Sequence, residues 1–294
     1  MRYILYLALI STFTYSSLQA QELSYGFKAG LNFSTFQGPL ENGENGESPE
    51  SYDFNSGFHI GIMFNRGFTD LFGIRAEVLY SQKGSRYRFE GEGYQLLQNG
   101  VGSRIFTTGN KEISLNITNA YIDVPISAYG KVLPWLELHG GISVGAIVSS
   151  SGTGELRYSG VSSIGVPIED FLVSLDHRYY MDVGGFEELG AEPILRNING
   201  DQIEIPRSLG AYYDYEQGEE VNLFNRIDFG LQAGVSIFLN QGLFLGLKVN
   251  YGLADITNNE VDRSLINLGD NNEFIFSEDV DRNLSLQASI GFSF

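Results

Sequence analysis

The feature that most constrains this chain is a period-two alternation of apolar and polar side chains that returns in eight separate segments. They lie at about 24–35, 56–65, 72–83, 116–129, 135–148, 226–238, 243–253 and 283–294. Successive side chains of an extended chain point to opposite faces, so a period of two means a strand with two chemically different faces. In the first segment Tyr25, Phe27, Ala29, Leu31 and Phe33 alternate with Gly26, Lys28, Gly30, Asn32 and Ser34. In the seventh Leu245, Leu247, Val249 and Tyr251 alternate with Gly246, Lys248, Asn250 and Gly252. The fourth is interrupted by Pro125 in "YIDVPISAYG", and because proline cannot donate to the ladder, a bulge is expected there.

The connections alternate as strictly as the residues do. After strands two, four and six they are short, "RGFTDL", "GKVLP" and "LNQG"; after strands one, three, five and seven they are long, the longest at about 149–224. Strands of about 9 to 11 residues with short turns on one rim and long loops on the other are the pattern of a bacterial outer-membrane barrel. The fold class expected is therefore all-β: an eight-stranded antiparallel up-and-down transmembrane β-barrel with long extracellular loops, both chain ends lying on the short-turn rim.

The opening "MRYILYLALISTFTYSSLQAQ" has a basic residue, an apolar stretch and small residues up to Ala20. It reads as a signal peptide over 1–20, leaving 21–294 as the barrel domain. No later segment approaches the run of about 18 apolar residues that a membrane helix needs. Cysteine is absent, which removes disulfides, thiolate metal sites, a cysteine nucleophile and a lipid-modified cysteine.

Alternation does not say which face is inside, since a soluble barrel has the same period with apolar residues inward. The polar phase is rich in Gly and Ser, which suits a narrow lumen, and its charges are nearly balanced. Lys28, Arg75, Lys83, Arg226 and Lys248 stand against Glu77, Asp123, Glu137 and Asp228. A lumen requires such balance, because a buried charge without a partner is costly. Together with the export signal this favours the membrane barrel, with apolar residues facing lipid and these charges forming a structural network. The same network would also serve an ion or proton path.

The formal net charge is -18 at pH 7. It excludes a basic nucleic-acid footprint. The acidity lies in the long connections: 149–224 holds fourteen acidic and four basic residues, and 254–281 holds eight and one. This suits solubility next to lipopolysaccharide, or a surface for a cationic or metal-bearing partner. Calcium-loop and zinc spacings are absent, and no cofactor or metal is expected. Only His59, His139 and His177 are available for general acid-base chemistry, so a non-enzymatic protein is expected, with a lipid-modifying barrel as the competing reading.

The stretches "YGFKAGLNFSTF" at 25–36, "RAEVLYSQKG" at 75–84, "YIDVPISAYGK" at 121–131, "DFGLQAGVSIFL" at 228–239 and "LFLGLKVNYGL" at 243–253 resemble the PorT-like outer-membrane barrels of the Bacteroidota. The resemblance covers the strands and leaves out 149–224. It implies an OmpA-type eight-stranded fold in the outer membrane and, from the family's namesake, a role as an accessory of type IX secretion and gliding, with secretion-system components as partners. It brings no catalytic residues. The final "ASIGFSF" resembles the signal read by the barrel-assembly machinery, which would make Phe292 and Phe294 the insertion signal.

Overall fold

The computed structural model describes residues 23–43, 46–98, 104–185, 192–198 and 200–294. The expected signal peptide lies outside them. The strands are β1 (Leu23–Gln37), β2 (Glu50–Gly67), β3 (Phe72–Gln98), β4 (Arg104–Leu133), β5 (Leu136–Ser162), β6 (Pro167–Arg178), β7 (Ile194–Ile198), β8 (Asp201–Ile205), β9 (Ser208–Leu209), β10 (Ile227–Phe238), β11 (Leu243–Gly252), β12 (Arg263–Leu268), β13 (Phe274–Phe276) and β14 (Arg282–Ser293). Eight of them run in the order β10-β11-β14-β1-β2-β3-β4-β5, and β5 pairs back onto β10. Every neighbouring pair in this ring is antiparallel, so the sheet closes on itself and leaves no unpaired edge in lipid.

The seam between first and last strands runs from Gly26↔Ser293 to Gln37↔Arg282. It is sealed at the short-turn rim by Tyr25 and Phe294, whose backbone groups exchange hydrogen bonds of 3.0 and 2.8 Å. Outward-facing Phe27, Leu31, Ile62, Val78, Ile126, Val144, Leu231 and Leu247 form the belt that meets lipid. Aromatic pairs gird it, among them Tyr25 with Phe64 (ring centroids 5.7 Å apart) and Phe58 with Tyr80 (5.6 Å).

The strands do not stop at the membrane. β3, β4 and β5 continue well beyond it, and residues 84–114, expected as a loop, lie largely in the upper part of the β3–β4 hairpin, paired from Gly84↔Thr118 to Gln98↔Arg104. Part of the long connection adds β6, which pairs with the upper half of β5. The lower half of β5 pairs with β10, so one edge of β5 serves two neighbours, β10 in the barrel and β6 above it, within a single sheet. The bulge expected at Pro125 is not there: Pro125 sits in regular register opposite Ser143. The bulges fall instead on β2 between Phe54 and His59 and on β5 at Val148, the residue skipped between Ile147↔Tyr121 and Ser149↔Ala120. Each inserts one residue, so the inward phase of β2 changes from even to odd numbers and that of β5 from odd to even.

Candidate functional site

Within the membrane belt the inward side chains carry four cations and four carboxylates, all nearly fully buried: Lys28, Arg75, Lys83 and Lys248 with Glu77, Asp123, Glu137 and Asp228. They sort into tiers along the axis. Nearest the short-turn rim, Arg75 pairs with Glu137 at 2.8 Å, donates from Nε to Asn65 Oδ1 at 2.6 Å and lies 5.2 Å from the Tyr129 ring centre. Above it Glu77 Oε2 is shared by Lys28 Nζ at 2.6 Å and Lys248 Nζ at 3.3 Å. Higher still Lys83 lies between Asp123 at 3.0 Å and Asp228 at 3.6 Å and over the Tyr121 ring at 4.4 Å. Each tier brings cation and carboxylate together from different strands, as a buried charge requires.

Arg226 does not join them, which corrects the sequence reading. It is exposed, with its guanidinium 4.8 Å from the Tyr180 ring centre. Its phase is right but its height is not: it precedes β10, at the level where β5 passes from pairing with β10 to pairing with β6, and its guanidinium rests on Tyr180 and makes no ion pair with the lumen carboxylates. Lys83 takes the place of the missing cation. Of the two proposed insertion residues, Phe292 is on the lipid-facing side of β14 and Phe294 follows its last residue, with their ring centroids 6.4 Å apart.

The lumen is filled. The void bordered by Lys28, Arg75, Glu77, His139, Lys248 and Ser289 measures about 10 Å³, no more than one water site. His59 completes the packing, fully buried, with Nδ1 2.7 Å from Asn32 Oδ1 and Nε2 2.8 Å from Ser289 Oγ. The order Asn, His, Ser is that of a nucleophile triad. Here the serine faces a space too small for a substrate carbonyl, so this geometry is a packed polar layer. Close approach explains the glycines around the histidines: a Cβ on Gly30 would lie 2.8 Å from His59 Cε1, and one on Gly234 would lie 2.5 Å from His139 Nε2. His177 is far from both, at the membrane-proximal end of β6 opposite Gly152, 3.1 Å from the Tyr179 hydroxyl, and burial pushes its pKa down to about 4.

Above the ion-pair tiers the interior turns apolar. Inward positions of β3 read Glu77, Leu79, Ser81, Lys83, Ser85 and then Tyr87 and Phe89; those of β4 read Ser127, Asp123 and Tyr121 and then Ile117 and Leu115. The outward face changes in the opposite sense, from Ile74 and Val78 to Arg86, Arg88 and Glu90. The core so formed takes in Leu156, Phe171, Val173, Leu175, Tyr179, Tyr212 and Tyr215 from β5, β6 and the segment before β10. It lines a partly open cavity of about 210 Å³. Sequence reading treats 84–114 as a loop and expects 149–224, apolar in "IEDFLVSLDHRYYMDVGGFEELG", to pack on itself or cap the barrel with partial order, but it places no strands of this chamber. The signal was present: Tyr87 and Phe89 alternate with Arg86, Arg88 and Glu90, a strand pattern whose charged side faces outward.

The rim beside the chamber carries the acidity. Carboxylate oxygens of Asp262, Asp279 and Asp281 lie within 4.8 Å of one another. Burial, then the carboxylate of Asp281, raises Asp262 to about 7, and burial raises Asp281 to about 6 although Thr257 donates to it at 2.9 Å. Glu41 is tied to the same rim by the Ser264 hydroxyl and by the Leu265 amide at 3.1 Å.

A family profile described as the outer membrane protein beta-barrel domain matches residues 19–258. No curated protein matches the sequence. Among solved structures the chain is similar to Ail, the attachment invasion locus protein of Yersinia pestis, at 9% identity and a TM-score of 0.36, covering 93% of this chain and 99% of that one. It is similar to OprG from Pseudomonas aeruginosa at 10% and 0.37, covering 94% and 97%, and to Neisserial surface protein A at 10% and 0.34, covering 93% and 99%. At such identities and TM-scores these are distant likenesses.

Proposed function

Because the chain belongs to the outer membrane protein β-barrel domain family and is an integral barrel of the cell outer membrane, we propose that it acts as a non-enzymatic binding scaffold whose working part is the extracellular extension. One observation carries this reading: the lumen is closed by paired charges, while the strands continue beyond the membrane around a second core with a charged exterior. A barrel meant for passage would leave its axis open. The lumen tiers are then structural, with outer-membrane lipids and lipopolysaccharide around the belt and the acidic rim turned towards cationic or cation-bearing envelope partners.

Crosslinking and mass spectrometry in native outer membranes tests this, with planar-bilayer recording of the purified protein beside it. Crosslinks should concentrate on the extension, and no steady conductance should appear; a stable open channel would sink the scaffold reading. Lipid A whose mass spectrum changes when the gene is deleted would instead revive the lipid-modifying alternative.

The likeness of the strand motifs to PorT-like barrels of the Bacteroidota favours a second reading, an accessory of type IX secretion whose extension docks secretion components. Cargo export that stays normal in a deletion strain, with no secretion components among the crosslinks, would count against it.

A further inference from the structure

The interior of the extension holds a charge that the fold answers only at a distance, through the carboxylates of Asp214 and Glu41. Lys111, on β4, is 2% exposed. Its Nζ makes no hydrogen bond or ion pair with any described residue, and its one polar contact is the face of Tyr94, with the ring centre 5.2 Å away. The eight buried charges of the lumen all form direct ion pairs, so an ammonium without one is a departure from how this chain treats buried charge. Burial lowers its pKa to about 8, which leaves it mostly protonated at neutral pH.

Lys111 lines the 210 Å³ cavity. Most of the remaining wall is apolar or aromatic, from Tyr87, Leu115, Leu156, Leu175, Tyr212 and Tyr215. Of the carboxylates there Glu50 is engaged through both oxygens, while Asp214 keeps one buried oxygen, Oδ1, without a hydrogen-bond partner. Glu50 accepts from the Tyr87 hydroxyl at 2.7 Å and from the Glu41 amide at 3.1 Å. Asp214 is paired with Arg263 at 2.9 Å. Arg263 is held in place by the rings of Tyr215 and Phe274, 4.4 and 4.3 Å away, and its buried Nη1 has no acceptor. The cavity thus combines an apolar body with two cations that have donors to spare, Lys111 and Arg263, against a single open carboxylate oxygen on Asp214, an arrangement that accommodates an apolar anion.

We propose that this chamber is a binding site for a small monoanionic amphiphile, a medium-chain or aryl carboxylate, with its carboxylate on Lys111 and its apolar body against the tyrosine and leucine wall. The site lies inside the extension and stands whether or not the acidic rim binds a partner. An anion here gives Lys111 the partner it lacks, and the bound body removes its apolar surface from water.

Titration calorimetry on the full chain in lipid nanodiscs, corrected with protein-free nanodiscs, tests it with decanoate and 2-naphthoate as probes and decanol as the uncharged control. One probe or both should bind with one site per chain, which also tells an alkyl from an aryl ligand. Lys111→Met should weaken the carboxylate by about tenfold or more, the worth of a charge-assisted hydrogen bond, and leave decanol unchanged. Leu156→Trp, which fills the cavity, should abolish binding of all three. Heat-modifiable migration in SDS gels reports folding, and Lys111→Met should melt no lower than the parent, since it removes an unpaired buried charge. Absence of binding by both carboxylates, or equal affinity in Lys111→Met, would overturn the proposal.

Discussion

The two halves of this molecule are built on continuous strands with opposite chemistry. Below the bulges of β2 and β5 the barrel is apolar outside and charged inside; above them it is charged outside and apolar inside. The reason is the solvent on the outer wall. Lipid accepts Leu247 and Val78 without cost and leaves only the lumen for polar groups, whereas water around the extension restores the ordinary arrangement of a soluble core. One fold therefore needs two stabilising terms: ion pairs and closed backbone hydrogen bonds below, and burial of Phe171, Leu175 and the tyrosines above.

If that division holds, substitutions should separate the halves. Glu77→Ala leaves Lys28 and Lys248 facing each other in the lumen and should cost about 3–5 kcal/mol, read by urea unfolding in liposomes. Leu175→Ala should cost about 3 kcal/mol by cavity formation, yet confine the loss to the extension. Limited proteolysis should cut there while heat-modifiable migration persists; loss of both together would show that the halves fold as one. Leu247→Arg on the lipid face should cost about 2–3 kcal/mol. The same change at Ser114, on the outer face of the extension, should be close to neutral, and equal costs would break the comparison.

A pH prediction concerns the rim. Asp262 and Asp281 are raised from 3.8 to about 7 and about 6. The folded state therefore holds extra protons, and the stability they bring is full below the unfolded value and lost as pH rises through 6 to 7. Asp262→Asn should flatten the fall in melting temperature between pH 5 and 8, an effect of about 1 kcal/mol. Deleting Phe294 changes the least energy and acts on delivery. It should lower the amount assembled in the outer membrane on quantitative blots; undiminished assembly would reduce it to a girdle aromatic.

Much of the lower half was legible. Residues such as Lys28, Glu77 and Lys248 occupy the polar phase of their segments, and phase alone places them in the lumen. Which of them pair was not legible, since Lys28 and Lys248 meet on Glu77 only when β1, β3 and β11 close around one axis. Arg226 shows the limit of phase: the period gives the face of a strand but not the height at which its neighbour leaves. The bulges were misplaced for a related reason. Pro125 marks a missing donor, which this ladder tolerates, while Val148 carries no local mark because its bulge answers the change of interior above it.

By itself, then, the sequence determined the eight crossing strands, their lipid and lumen faces and the side on which the long connections lie, because those follow from a period of two and from connection length. Tertiary structure alone decided that the long connections would rise as strands around a second core and that Lys111 would be buried in it without a direct ion pair. Burial there is created by β6 and the residue 208–223 segment folding over β4 and β5, contacts between positions far apart in the chain that no local pattern records.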